Sequence, residues 1–325
     1  MGALRQLFGT PGQALLTLFS GGALAWLGLE VLAWAWRADW RVVRENFRYF
    51  LVGRLPPEET WRAWVLLGLG VGLAFLLLGR WKVVRLGWLE RYTAPLLFLG
   101  VLAVLTVLLP IPPGVLSGLF LSLVLSLGAM VLAFPLGLAL ALARQSRLGG
   151  LRTLAVLYIE TIRGVPLISV LFLAFVTLPL FLPEGYRPSQ FLRALAGYTL
   201  FAAAYLAENV RGGLQAVPKG QVEAALSLGL SSTQVALYVV LPQALRAVIP
   251  AIVGQFIALF KDTSLVAILG LLDLLGMAQA VLANPKYLHL EREVYAFVGL
   301  LYLLVSGALS YLGRAVERAL GLGQR

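Results

Sequence analysis

The chain has no cysteine and a single histidine, His289, among its 325 residues. The first absence excludes disulfides, thiolate nucleophiles and cysteine-based metal sites. The second excludes a histidine pair within one chain, and His289, near Tyr287 in a short loop, reads as a solvated side chain rather than a proton relay. Charge is scarce as well: 13% of residues are charged, against about 25% in a soluble domain. No GxxxxGK[ST] loop is present to cradle nucleotide phosphates, and there is no HExxH or GxSxG pattern. The chain therefore carries no sign of an enzyme and is expected to bind no cofactor or metal. What it has instead is apolar residues, 60% of the total, gathered into runs of roughly 20 that suit ~30 Å of hydrocarbon. A soluble enzyme is excluded, and the fold class is all-α: a polytopic integral membrane protein.

The runs predict about eight transmembrane helices, at 14–36, 63–79, 95–109, 114–144, 165–182, 190–217, 249–272 and 293–320. The first is too long for a signal-peptide core and lacks a clear cleavage site, so it is expected to stay on the protein. Pro110, Pro112 and Pro113 end the short third run, Pro135 should kink the fourth, and Pro218 stops the sixth. A partly polar lead-in helix at 151–163 precedes the fifth. Small residues recur where helices must approach closely: Gly128, Ala129, Ala133 and Gly137 in the fourth run, Ala202, Ala203, Ala204 and Ala207 in the sixth. Between the first two runs lie six arginines from Arg37 to Arg62. Val42, Val43, Phe47, Phe50 and Leu51 alternate there with Arg41, Arg44 and Arg48, which suits either a helix lying in the membrane interface or a solvated charged loop.

The net charge of +11 sits in short loops and signals orientation and lipid-headgroup contact rather than nucleic-acid binding. If the polar stretch after the sixth run faces the cytoplasm, the segments 80–91, 144–152 and 314–325 are also inside, and all are basic. The arginines of 37–62 then fall outside, against the rule that basic residues favour the inner side.

That polar stretch, 219–245, is too interrupted to cross a bilayer. Residues 223–228 predict a short helix closed by Gly229, which can take the left-handed cap without steric cost. Ser231 and Gln234 have the spacing of a capping box for a second short helix at 232–240, ended or bent by Pro242. Two short helices around a glycine, outside the membrane, form a knob that needs a socket on a partner.

The order Glu223, Ala224, Ala225, Gly229, Leu241, Pro242 resembles the coupling loop of ABC-importer membrane subunits. Three flanking blocks, ETIRGVPL at 160–167, ENVRGGLQAVPKGQ at 208–221 and FKDTSL at 260–265, are similar to the polar amino-acid branch of that family, most of all the general L-amino-acid permease subunit. The resemblance is strong over 114–318. It implies a five-helix permease core at 114–320 following an N-terminal extension at 1–113. It also implies a multi-pass protein of the bacterial inner membrane, pairing with a second permease subunit. Further implied partners are a cytoplasmic ATP-binding subunit dimer, which carries ATP and Mg, and an extracytoplasmic amino-acid-binding protein.

Ionisable residues inside apolar runs are costly, by about 2.5–3.5 kcal/mol on insertion scales, and so point to function. Glu160 with Arg163, and Glu208 with Arg211, are each three apart on one helix face. They read either as charges of an inner gate that re-pair as the transporter opens, or as headgroup anchors. Lys261, Asp262, Thr263 and Ser264 fall in the middle of the seventh run, with Gln255 six residues before Lys261. Lys261 and Asp262 supply both signs that an amino-acid zwitterion needs, so the patch is a candidate lining of the substrate pathway; a self-neutralising Lys–Asp pair gluing helices is the alternative. A secondary transporter of small polar solutes, driven by an ion gradient through these two residues, is the competing function. It calls for broken helices in matching halves and leaves the knob without a role.

Overall fold

A computed structural model describes residues 8–80, 92–108, 110–183 and 185–322, and every described element is helical. The basic loop expected at 80–91 lies almost wholly outside the described residues. The order is α1 (Pro11–Arg37), α2 (Arg41–Val52), α3 (Thr60–Arg80), α4 (Thr93–Leu108), α5 (Gly118–Arg144) and α6 (Gly149–Gly164). Then come α7 (Leu167–Phe181), α8 (Gln190–Ala216), α9 (Lys219–Ser227), α10 (Ser232–Leu269), α11 (Leu274–Leu282) and α12 (Glu291–Ala319).

By length and apolar composition, α1, α5, α10 and α12 can each cross a membrane, and α6 with α7 form a fifth candidate bent by 112°. The expected crossings at 63–79, 95–109 and 190–217 fall outside that count. The segment α4 is 16 residues long. At 27 residues α8 is long enough, but it carries Arg193, Glu208 and Arg211 and turns its small residues inward. Such a helix survives in a membrane because other helices, not lipid, cover it.

The centre of the bundle is α5 against α8. Ala129, Ala133 and Ala141 of α5 and Ala202, Ala203, Ala204 and Ala207 of α8 are all buried. At Gly137 the two backbones come so close that a Cβ there would stand 2.7 Å from Leu206 Cβ and 3.0 Å from Ala203 O. Dispersion between closely approaching helices, rather than exclusion from water, holds such pairs in hydrocarbon. α10 packs beside them through Val248, Leu259 and Phe260. One apolar cluster joins Val52, Leu55, Ala63 and Ile111 to Leu121, Leu125, Tyr198 and Leu206, so these N-terminal residues share a core with the later helices. Only α1 stands apart. It buries no residue.

The arginine-rich segment is a helix, and its apolar face meets protein. Val42, Val43 and Phe50 of α2 bury against Leu274, Ala278, Val281 and Val294. Glu45 accepts hydrogen bonds from Lys286 Nζ at 2.6 Å and Tyr287 Oη at 2.7 Å. These bonds hold the Glu45 carboxyl below its ordinary value of 4.5. The tether is therefore intact above that value and weakens as pH falls through the lowered one. The start of α5 meets the end of α2, where Arg54 N–H donates to Ser117 Oγ at 2.7 Å.

Two sequence expectations change. Pro242 does not end the second short helix: Val235–Val240 is wound as a π-helix before it, and Pro242 falls in the first turn of the α-helical winding that follows. The wider turn absorbs the missing N–H, and α10 runs on for 38 residues as one element. The end of the seventh run is followed by α11, which the sequence reading left without an element. Asp273, fully buried, caps it by accepting from Gly276 N at 2.8 Å and from Tyr302 Oη at 3.0 Å.

Replacing Gly137 by Val should destabilise the bundle by about 1–3 kcal/mol, as overpacked cores do. Thermal unfolding of the purified protein in detergent measures it. Gly128→Ala, whose new Cβ would meet only the tip of Leu195 at 3.3 Å, should change the midpoint little.

Candidate functional site

Three helix segments bring their charges together at one end of the bundle. α5 ends on Arg144, α6 carries Glu160 and Arg163 in its last two turns, and α8 carries Glu208 and Arg211 near its end. The i,i+3 spacing puts each Glu and its Arg on one helix face. The fold then closes the cluster between helices. Arg144 Nη1 lies 2.9 Å from Glu160 Oε1 and 3.2 Å from Glu208 Oε2. Arg163 Nη1 lies 3.7 Å from Glu208 Oε2 and 4.0 Å from Glu160 Oε2. Arg211 Nε donates to Glu208 Oε1 at 2.9 Å, its Nη2 bonds the same oxygen, and its Nη1 donates to Gln215 at 2.8 Å. The Arg163 guanidinium also stacks 5.6 Å from the Tyr205 ring.

All four residues singled out as gate charges thus meet in one place, and Glu208 is the hub because three arginines share its two oxygens. Arg144 is the member that sequence reasoning missed. Its signal was present: it ends an apolar run of a length that brings it level with the charges of 160 and 208. Three guanidinium groups against two carboxylates leave one positive charge in excess, which an incoming anion or a rearranged pairing can use.

Directly beyond Ala216 the chain folds into the hairpin of α9 and the start of α10. It begins at Lys219, after Pro218, rather than at Glu223. Gly229, at φ +83°, closes α9 with both bonds of a Schellman cap: Gly229 N to Leu226 O at 2.9 Å and Leu230 N to Ala225 O at 3.3 Å. The Ser231–Gln234 capping box is complete in both directions. Ala225 and Val235 bury inside the hairpin, while Glu223, Ala224 and Gly229 are exposed. Leu241 is half-buried and Pro242 exposed where α10 leaves the hairpin. The tip presents Leu226, Leu228, Leu237 and Tyr238 to the outside. The hairpin and the ion cluster sit at the same end of the bundle; Arg41–Val52 sits at the other.

The second predicted patch is spread rather than clustered. Lys261 is exposed, Asp262 and Gln255 are half-buried and Thr263 is buried. Lys261 and Asp262 form no ion pair with one another among the described residues. Thr263 Oγ1 donates to Phe260 O at 2.7 Å and Ser264 Oγ to Lys261 O at 3.0 Å, as the helix tightens to 3-10 winding from Thr263. Tyr198 Oη donates to the Asp262 carbonyl at 2.6 Å. The Lys261 and Asp262 charges act on one another without a direct ion pair, whereas the two hydroxyls are used locally.

The structure is a helical bundle with membrane-length apolar helices and a folded hairpin ahead of the longest of them, and its relatives are membrane transport components. Residues 133–321 match the family described as the binding-protein-dependent transport system inner membrane component, and the chain belongs to that family. An Escherichia coli K12 relative, the inner membrane amino-acid ABC transporter permease protein YhdY, is 38% identical over 98% of this chain and 92% of its own length. The glutamate/glutamine/aspartate/asparagine transport system permease protein BztC of Rhodobacter capsulatus is 45% identical over 63% of this chain and 47% of its own. Among solved structures, a chain from an amino acid ABC transporter crystallised with histidines is 32% identical, with a TM-score of 0.57 over 62% of this chain and 91% of that one.

Glu208→Gln should lower stability by about 1.5–3 kcal/mol, the range for a hydrogen bond to a charged group. Thermal unfolding of Glu208→Gln, Arg144→Gln and the double variant checks it. The two losses should fall short of additive by at least about 0.5 kcal/mol, and strict additivity would deny the coupling between α5 and α8.

Proposed function

We propose that this chain is one of two membrane subunits of an ATP-driven amino-acid importer, forming half of the translocation pathway. The relatives named above are permeases of amino-acid systems, one of them along almost the whole chain, and this supports the substrate class. The observation that carries the coupling role is the hairpin tip. Leu226, Leu228, Leu237 and Tyr238 are exposed on a rigidly capped knob beyond the end of α8. Apolar side chains on such a knob call for a protein socket. A cytoplasmic ATP-binding subunit fits that place, with the knob side inside as the basic loops require.

In this reading the chain's own parts act in sequence. ATP, held with Mg on the partner, draws the two ATP-binding subunits together, and the knobs follow. Ala224 leaves room for close seating, and Gly229 sets the angle between α9 and α10. Because α10 continues unbroken past Pro242, displacement of the knob tilts the helix that carries Gln255, Lys261 and Asp262. The same displacement pulls the end of α8, and Glu208 exchanges arginines as α5, α6 and α8 shift. Solute arrives on a binding protein at the opposite face, and Lys261 and Asp262, with Ser264, line its route, while the fully buried Thr263 fixes the winding beneath them. The ion-gradient alternative has no observation in its favour.

Gly229→Val should cost about 1–2 kcal/mol in left-handed backbone strain. That is roughly a 5–30-fold change in the population of the seated hairpin. ATP-driven uptake by reconstituted complexes should fall accordingly, with ATP hydrolysis no longer tied to it. Gly229→Asn, which tolerates this conformation, should keep most uptake. Equal, undiminished uptake by both variants would refute the coupling role.

A further inference from the structure

At the end of the bundle opposite the hairpin lies a cavity of about 340 Å³. That is within the roughly 300–1,000 Å³ of small-molecule sites. Its lining includes Arg54, Ser117, Gln190, Phe191, Leu271 and Leu272. Three features give it a sign. Arg54 is exposed, and its guanidinium has no ion-pair partner among the described residues. α5 begins at Gly118 and α8 at Gln190, so two 27-residue helices present N-termini at the rim, where their dipoles are positive. No carboxylate is among the lining residues that the structure describes. Leu116, Phe191, Leu271 and Leu272 supply an apolar wall beside this positive field.

Arg54 is held in place by its own backbone. Its N–H bonds Ser117 Oγ, and Ser117 Oγ in turn donates to Val115 O at 3.1 Å. Gly53, just before it, sits at φ +58°, with Ser117 so near that a Cβ would stand 2.0 Å from its hydroxyl. The arginine is therefore delivered to the mouth of the α5–α8–α10 bundle from the N-terminal part of the chain.

We propose that this cavity is an outer receiving subsite for a solute bearing a carboxylate, and that the Arg54 guanidinium is the carboxylate's partner. The proposal rests on the amino-acid importer reading and adds the place where the solute is first held after leaving its binding protein. A fork of guanidinium donors matches a carboxylate's two oxygens, and the apolar wall accepts the rest of the molecule.

The test uses the assembled complex, with its ATP-binding subunits and loaded binding protein, in proteoliposomes. Radiolabelled L-glutamate, L-glutamine, L-histidine and L-arginine serve as probes. For whichever of these the wild type imports, import per ATP hydrolysed should fall about tenfold in Arg54→Ala, and Arg54→Lys should keep it within about threefold. Unchanged import in Arg54→Ala overturns the subsite, as does a loss matched by an equal loss of binding-protein docking. A wild-type complex that imports none of the probes defeats the amino-acid reading instead. The cysteine-free chain offers a second measurement with Arg54 retained. In Gln190→Cys, a negatively charged methanethiosulfonate should react about tenfold faster than a positively charged one, and adding Arg54→Ala should cut that ratio at least about threefold, the helix N-termini keeping the remainder. Equal rates in Gln190→Cys alone also overturn the proposal.

Discussion

One carboxylate ties this molecule together where force would enter it. Glu208 shares its two oxygens among Arg144, Arg163 and Arg211, which belong to three different helices. Because the groups are only partly exposed, these attractions are stronger than at an open surface, and loss of the Glu208 carboxylate would leave the arginines short of a partner. The cluster is therefore rigid in any one pairing. It is also changeable, because three guanidinium groups compete for two carboxylates. A network with more donors than acceptors has alternative arrangements of similar energy, which is the property a two-state transporter needs.

The rest of the architecture makes that cluster mechanically connected. α8 leads from it straight into the hairpin, and α10 leads from the hairpin back through the bundle without a break. The close approach at Gly137 leaves little room between α5 and α8 for either backbone to slide before atoms collide. At the far end the N-terminal part is fastened to the core: Phe50 and Val42 bury against α11 and α12, and Glu45 bonds Lys286 and Tyr287. This fastening places the arginines of α2 on the face away from the hairpin. Their departure from the usual charge asymmetry then belongs to the end of the bundle that also carries Arg54.

Local signals were legible in the sequence and distant ones were not. The glycine cap at 229, the capping box at 231–234 and the two i,i+3 charge pairs depend on residues within a turn of one another, and each is formed. The pairing of Arg144 with Glu208 joins residues 64 apart and follows from how far α5 and α8 travel before they meet, which composition does not state. At Pro242 the helix changes winding rather than stopping, and the wider π-helical stretch before it is a property of the backbone over several residues rather than of any one. Lys261 and Asp262, which the sequence offers as a pair or as a pathway lining, make no direct ion pair among the described residues, though each lies in the other's field. Asp273 carried a signal that was passed over: an acid after Gly270 and before an apolar run is a helix start.

The central claim is that nucleotide-driven movement of the hairpin is carried through α8 and re-pairs the ion cluster. Pulsed electron–electron spin resonance between labels at Leu228→Cys on the hairpin and Thr153→Cys on α6 tests it most directly. Both side chains are exposed and the chain is otherwise free of cysteine. Coupling requires the distance distribution to move by on the order of 5 Å, about one helical turn, between nucleotide-free and ATP-trapped complexes. The same distribution in both states, in complexes that hydrolyse ATP and import solute, would contradict it.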